Sequence, residues 1–282
     1  MPSAIARLIG FEELTMRTRS AAPSPRTLPL QPGLIYGPVR SRRLGFSLGI
    51  NLLPSRDTPC SFNCLYCRYG WTLGSRLAPT HQLKDVPRAA EVLAALDNAL
   101  CELRQERPTI DAITICGNGE PTLHPDLHQV VQQAKKLRDR YVPDVRLAIF
   151  SNSSTIASEN VRQTLELFDV KIMKFDAGSE ELMKRLNHPA SPMYLGEIVA
   201  GLAKLTDVYL ASLFVQGKVT NTDPASIDLW IEKVGEIRPY QVHIYSLDQA
   251  AADPKIEKVN MVTLQWIADR LHWRTGLPVE FY

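Results

Sequence analysis

Read for hydrophobic period alone, the chain alternates short apolar runs with longer amphipathic stretches. Residues 47–53 form a first short apolar run, of the kind that buried parallel strands carry. Over 86–103, Val92, Leu93, Leu96, Leu100 and Leu103 recur at helical spacing. From there the two periods alternate. Strand 112–116 precedes a helix over 126–138, and strand 145–150 precedes a helix over 158–167. Strand 170–175 is followed by helical segments over 179–186 and 195–205, and strand 208–215 by a helix over 224–237. Strand 241–246 leads through a loop at 248–258 to a helix over 263–273, and 279–282 is a small closing strand. These make six β/α units in series. The pattern predicts an α/β fold, a parallel sheet with right-handed crossovers that is either doubly wound or curled into a full or partial barrel.

Two regions lack a period. Residues 1–33 hold a short helical pattern over 5–16, then the proline-containing runs Ala-Ala-Pro-Ser-Pro and Leu-Pro-Leu-Gln-Pro, which favour extended polyproline-like chain. They read as an arm outside the core, with 34–282 as the single domain; 36–45 reads as a basic turn. The second region, 54–83, is too long for a structureless connection in a compact domain unless it is functional. In sheets of this class chemistry sits at the carboxyl ends of the strands. Here those ends are Leu53, Cys116-Gly-Asn-Gly-Glu120, Ser151-Asn-Ser153, Lys174-Phe-Asp176, Gln216 and Tyr245-Ser246, so the polar punctuation falls on one rim.

Composition narrows the class. At 282 residues and 45% hydrophobic the chain can bury one large core, and 32 basic against 30 acidic side chains imply no polyelectrolyte partner for the whole surface. Charge is uneven, however: residues 1–43 hold seven Arg against two Glu, so the arm could meet phosphates, including those of nucleic acid, or simply be solvated. No apolar run reaches the roughly 20 residues that span a bilayer, and the apolar stretch after Arg7 is too short for a secretory signal. Five cysteines, an odd number and tightly clustered, argue against a secreted disulfide framework. A reducing, cytoplasmic setting without a membrane is expected.

Three of those cysteines fall in Cys60-Ser-Phe-Asn-Cys64-Leu-Tyr-Cys67, at C-x3-C-x2-C spacing with Tyr66 before the last. A turn of that length can aim three thiolates at one point, and soft thiolates select iron–sulfur clusters, zinc or copper(I). A structural zinc would need a fourth ligand, and His81 is the nearest histidine in sequence. Three thiolates leave one iron of a cubane free for another ligand. Cys101 and Cys116 read as buried small hydrophobes, and His124 and His128, at i,i+4 without an intervening Glu, as surface residues. Asn152 could cap a turn, and Lys174 with Asp176 could be a solvated ion pair.

The cysteine spacing at the end of the first strand, with the aromatic before the last cysteine, resembles the radical S-adenosylmethionine superfamily. Gly117-Asn118-Gly119-Glu120-Pro121 ends the second strand as that family's Gly-Gly-Glu-Pro does, with Asn118 in place of the first of the paired glycines. The resemblance implies a (β/α)6 partial TIM barrel. It implies a 4Fe–4S cluster on Cys60, Cys64 and Cys67, whose open iron chelates S-adenosylmethionine. Reductive cleavage there gives a 5′-deoxyadenosyl radical that abstracts hydrogen from a substrate, fed by an external one-electron reductant such as flavodoxin or ferredoxin. By the same resemblance Gly117, Gly119 and Glu120 meet the methionine ammonium. Asn152, Lys174 and Asp176 hold ribose and carboxylate, and Tyr66 and Tyr245 lie by the adenine. A narrower likeness covers most of 36–260. Tyr-Gly-Pro-Val-Arg-Ser-Arg-Arg-Leu-Gly-Phe-Ser-Leu-Gly-Ile over 36–50, Met-Lys-Phe-Asp-Ala-Gly over 173–178 and Tyr-Ser-Leu-Asp over 245–248 resemble the iron–sulfur oxidoreductases related to wyosine-type tRNA base synthases. No cysteine precedes Cys60, so the second cluster of those synthases has no ligands here and their tRNA reaction does not carry over. Arg42, Arg43, Gln216, the 248–258 loop and Tyr282 are candidates to line the substrate space. Transfer of the adenosyl group to substrate, or a zinc-stabilised nucleic-acid-binding module, are the competing readings.

Overall fold

The computed structural model describes residues 28–54, 59–72, 77–78, 83, 85–106 and 109–282. The helical pattern at 5–16, the rest of the arm up to residue 27, and His81 lie outside the described residues.

The chain opens with a hairpin that its sequence conceals. Strand β1 (Ile35–Ser41) pairs antiparallel with β2 (Gly45–Ile50). The stretch read above as a basic turn is therefore mostly strand; only residues 42–44 turn. Gly37 and Pro38 disguise it, for the register shifts between Tyr36 and Val39, where the two residues interrupt an otherwise regular ladder. After β2 the β/α rhythm runs as expected: α1 (Ala89–Glu106), β3 (Ala112–Ile115), α2 (Leu127–Tyr141), β4 (Arg146–Ser151), α3 (Glu159–Leu165) and β5 (Val170–Lys174). Two short helices follow, α4 (Glu180–Asn187) and α5 (Leu195–Leu202). The stretch 208–215, expected as one strand, divides into β6 (Val208–Leu213) and β7 (Val215–Gly217). Asn221 causes the break. Its amide donates to the carbonyls of Leu213 (2.8 Å) and Asp176 (3.0 Å) and its Oδ1 accepts from Val215 N (2.8 Å), which turns the chain out of the sheet at Phe214. Then come α6 (Pro224–Ile237), β8 (Gln241–Tyr245), β9 (Ile256–Lys258), α7 (Met261–Thr275) and β10 (Val279–Phe281). β9 lies in the stretch expected as a loop and pairs antiparallel with β7 as a separate ribbon.

The main sheet has eight strands in the order β1-β2-β3-β4-β5-β6-β8-β10, parallel throughout except for β1. Alternate residues face opposite sides of it. Ile113, Ile115, Leu147, Ile149, Leu210, Val242 and Ile244 join the large core under the helices. The residues between them, Ala112, Ala148 and Ala211 with Ile172, form a smaller cluster on the other face. Small side chains suit a concave inner face that has little room, and on it Ser47 and Thr114 share a buried 2.5 Å hydrogen bond. The helices end where their caps say. Asp223 accepts from Ser226 N ahead of Pro224, and Asn260 from Thr263 N, while Arg238 and Gly276 close α6 and α7 in the left-handed conformation.

Candidate functional site

The cysteine loop has almost no regular structure of its own. It is fixed by borrowed hydrogen bonds. The last carbonyls of a helix lack intrahelical partners, and α4 gives two of its own to this loop: Leu186 O accepts from Leu65 N (2.9 Å) and Asn187 O from Asn63 N (2.9 Å). Ala190 N donates to Ser61 O (2.8 Å), Asp253 N to Leu65 O (2.9 Å), and Cys67 N closes a turn on Cys64 O (3.1 Å). On the far side Glu120 N donates to Pro59 O (3.0 Å). That approach requires Gly119, which has φ +73; a Cβ there would stand 1.8 Å from Pro59 O. The Gly-Asn-Gly-Glu turn and the cysteine loop are thus packed backbone to backbone.

Cys60, Cys64 and Cys67 are free, half-buried thiols. Burial pushes all three thiols up, Cys64 to about 12, and the neighbouring thiols add to the effect on Cys60. Two side-chain amides point at sulfur: Asn187 Nδ2 lies 3.4 Å from Cys64 Sγ and Asn152 Nδ2 3.5 Å from Cys60 Sγ. Among the described residues no three Cys, His, Asp or Glu side chains converge closely enough to hold a single ion. The thiol set and the amides aimed at it fit a cluster.

The strand ends bring the other expected residues together. Glu120 is buried (1% exposed), and its Oε1 accepts from Thr122 N (3.0 Å), Thr122 Oγ1 (2.6 Å) and Ser151 Oγ (2.9 Å). Its Oε2 accepts only from Asn152 N (2.6 Å) among the described residues, which leaves one lone pair on that oxygen. Burial raises its pKa and these bonds oppose the rise. Asn152 caps the following turn through Oδ1 to Ser154 N (2.9 Å) and also faces the loop, with Nδ2 on Ser61 Oγ (3.0 Å). Lys174 Nζ pairs with Asp176 Oδ1 (2.8 Å), donates to Tyr245 OH (2.9 Å), and lies 4.8 Å from the ring centroids of both Tyr66 and Tyr245. Burial alone would lower the lysine; the pairing with Asp176 and Tyr245 outweighs it and the net shift is upward. Asp176 also accepts from Tyr66 OH and from Leu213 N (2.8 Å), so this is a buried and satisfied ion pair rather than a solvated one.

Sequence reasoning missed Asn187 and Asn51 and met Asn118 only as a departure from a motif. Asn187, buried at the end of α4, reaches Cys64, Tyr66 OH (2.7 Å) and Asp176 (3.3 Å) at once. Asn51 and Asn118 form a buried pair, with Asn118 N donating to Asn51 Oδ1 (3.1 Å), and together they grip the segment before β1. Asn118 brackets Gln31, accepting from its N and donating to its O (both 2.9 Å); Asn51 donates to Gln31 O (3.0 Å) and Gly33 O (3.1 Å). Residues 28–33 accordingly run against the barrel. The asparagine that departs from the Gly-Gly-Glu-Pro pattern is the anchor for them.

The tentative substrate residues separate. Gln216 spends its amide on Lys258 O (3.1 Å) within the β7–β9 ribbon. Arg42 pairs with Asp248 (2.8 Å), and Arg43 stacks over Tyr245 (4.4 Å) and Tyr282 (5.1 Å), so the turn between β1 and β2 reaches the far edge of the sheet. His124 is buried, with Nε2 on Pro87 O (2.8 Å), so it is not the surface residue expected, whereas His128 is exposed as expected, its Nδ1 within 3.0 Å of Thr164 Oγ1. Beside the cysteine loop a cavity of about 20 Å³ is lined by Phe62, Asn152, Lys174, Asp176, Met183 and Asn187. That is room for a water, and anything of nucleoside size displaces side chains there. A larger hollow of about 410 Å³ around Arg162 and Lys204 lies at the opposite end of the strands, where Glu166 meets Lys171 and Thr206, away from this chemistry.

No protein-family model matches the chain. A UPF0026 protein of Helicobacter pylori is 32% identical over 185 residues, which are 66% of this chain and 56% of that protein. A UPF0026 protein of Methanocaldococcus jannaschii is 29% identical over 238 residues, 81% of this chain and 70% of that protein. The chain thus spans just over half the length of the first relative. Among solved structures, a radical SAM methyltransferase from Sphaerobacter thermophilus superposes with a TM-score of 0.62 at 14% identity, covering 84% of this chain and 65% of that one. TYW1 with a lysine–pyruvate adduct bound gives 0.59 at 14% identity, over 81% of this chain and 74% of that one. SuiB of Streptococcus suis bound to S-adenosylmethionine gives 0.59 at 11%, over 83% and 50%. These likenesses show the fold, a mostly parallel eight-stranded sheet with flanking helices that matches the partial TIM barrel of radical SAM enzymes. No helix among the described residues is long and apolar enough to cross a membrane.

Proposed function

We propose that this chain is a radical S-adenosylmethionine enzyme, with Cys60, Cys64 and Cys67 holding a 4Fe–4S cluster and the neighbouring strand ends holding the cofactor. The observation that carries the reading is the packing of the thiol loop on the Gly-Asn-Gly-Glu turn, with the amides of Asn152 and Asn187 directed at two of the sulfurs. Amide donors to sulfur stabilise the thiolate form that a cluster requires. Cys60, Cys64 and Cys67 would hold the cluster, which would supply one-electron cleavage of the sulfonium to methionine and a 5′-deoxyadenosyl radical for hydrogen abstraction from substrate.

The chain's own groups bind and orient. The remaining acceptor position on Glu120 Oε2 and the carbonyls of its turn suit the methionine ammonium, while Glu120 itself mainly holds Asn152 in place. Gly117 and Gly119 keep the turn's backbone close enough to serve. Lys174 offers a charge to the methionine carboxylate but is already paired with Asp176, so a ligand must compete for it or open the Tyr66–Asp176–Lys174 contacts. Tyr66 and Tyr245 present the aromatic faces on either side of that lysine. The motifs over 36–50, 173–178 and 245–248 support a place beside the wyosine-related oxidoreductases, and an external flavodoxin or ferredoxin is the reductant that goes with it.

Iron and acid-labile sulfide in anaerobically purified full-length chain test this reading. About four of each per chain, in a brown oxygen-sensitive protein, are expected. Zinc without iron or sulfide would overturn it in favour of a structural metal site.

A further inference from the structure

Arg43 differs from its neighbouring cations Arg42 and Lys174. Its guanidinium lies 4.4 Å from the ring centroid of Tyr245 and 5.1 Å from that of Tyr282, yet its Nε and Nη2 are buried with no hydrogen-bond partner among the described residues. A buried charge without partners is costly, so its neighbours decide whether something within the protein compensates. Arg42 is committed to Asp248 and Lys174 to Asp176. Glu280 is the acid on the facing strand, but its Oε2 accepts from Tyr282 OH (2.5 Å) and no ion pair joins it to Arg43 among the described residues. His243, which packs on Tyr282 at 6.0 Å, has its own Nδ1 buried and without a partner among the described residues, and burial and the nearby Arg43 hold it uncharged at neutral pH.

Covalent geometry sharpens the point. Nε and Nη2 share one edge of the planar guanidinium, the edge whose two parallel N–H groups match two oxygens of a carboxylate or phosphate. Tyr245 and Tyr282 pack against the guanidinium and leave this edge without a hydrogen bond among the described residues. Tyr245 also ties the edge to the cofactor residues, for the same ring carries Lys174 at 4.8 Å.

We propose that the Nε–Nη2 edge of Arg43 is the receptor for an anionic group, carboxylate or phosphate, on the substrate. As a substrate contact this rests on the radical S-adenosylmethionine reading; as an anion site it does not. The tyrosines hold the fork flat, and a substrate that brings two oxygens to the edge completes the hydrogen bonding that the chain leaves undone.

The test uses anaerobically purified full-length chain labelled with ¹⁵N-arginine, titrated separately with inorganic phosphate and with succinate. A saturable shift of the Arg43 Nε–H resonance is expected, and whichever anion acts at lower concentration identifies the group. In parallel, the anion concentration that gives half-maximal thermal stabilisation should rise at least tenfold in Arg43→Lys, which keeps the charge but loses the fork, and in Arg43→Gln. Arg140→Gln, at an exposed residue of α2, should respond like wild type. No saturable shift with either anion, or an Arg43→Lys chain that responds like wild type, overturns the proposal. Neither titration needs cluster turnover or a reductant, so a failure of the cluster reading would leave this result standing.

Discussion

At the scale of single residues the site divides into what chain spacing can announce and what only folding assembles. The three cysteines, Tyr66, Gly119 and Glu120 were legible because their spacing is local and their chemistry follows from residue type. Asn187 was not, for it stands 123 positions from Cys64 and ends a helix that looks ordinary in sequence. Asn118 was legible only as a departure from a motif; its partner Gln31 is 87 positions away. Asn187 matters because one buried amide serves Cys64 Sγ, Tyr66 OH and Asp176. Asn187→Ala leaves those groups short of a donor, and a stability loss of about 1–3 kcal/mol is expected in denaturant unfolding. Iron should also leave the variant faster than wild type when a chelator is added. Equal unfolding midpoints and equal chelation rates would show that the amide is idle.

At the scale of elements, the helical and strand periods located the six β/α units because each strand buries one face under helices and each helix buries one stripe. Prediction failed where the chain departs from a period for a local reason. β1 was hidden by Gly37-Pro38, and Asn221 broke the strand that ends at Leu213. How β1 is seated can be tested directly. Tyr36 lies flat over Gly49, where a Cβ would come within 2.1 Å of the ring, and its hydroxyl contacts Cys116 Sγ at 2.7 Å. Gly49→Ala should therefore cost about 1–3 kcal/mol by overpacking. In a Tyr36→Ala background the same change should cost at least about 1 kcal/mol less, a coupling that a double-mutant cycle in urea reads out. Strict additivity would mean that the ring is not what excludes the methyl.

At the scale of the whole molecule, the two ends of the sheet meet through the turn between β1 and β2, whose arginines reach Asp248, Tyr245 and Tyr282. His243 sits in that closure, buried beside Tyr209 and Tyr282, with its pKa lowered from 6.5 to about 4 by burial first and by Arg43 second. Below pH 6.5 the unfolded chain takes up a proton that the folded chain refuses until about pH 4. Stability from this group is thus present above pH 6.5, falls as pH drops toward 4, and levels off below; the gap is worth on the order of 3 kcal/mol. His243→Phe, which keeps the aromatic packing, should lose that much less stability than wild type between pH 6.5 and 4. Parallel pH profiles for the two proteins would remove His243 from the account. The parallel α/β sheet was legible because β/α alternation has few solutions, and the family resemblance selected the partial barrel among them; the closure was not legible, since it joins residues more than 200 positions apart. The central claim is that the three thiols at the barrel's rim run the chemistry, and anaerobic turnover of S-adenosylmethionine tests it most directly. Reduced wild-type chain should form 5′-deoxyadenosine and Cys64→Ala should fall to the level of a protein-free control; as much 5′-deoxyadenosine from Cys64→Ala as from wild type would contradict it.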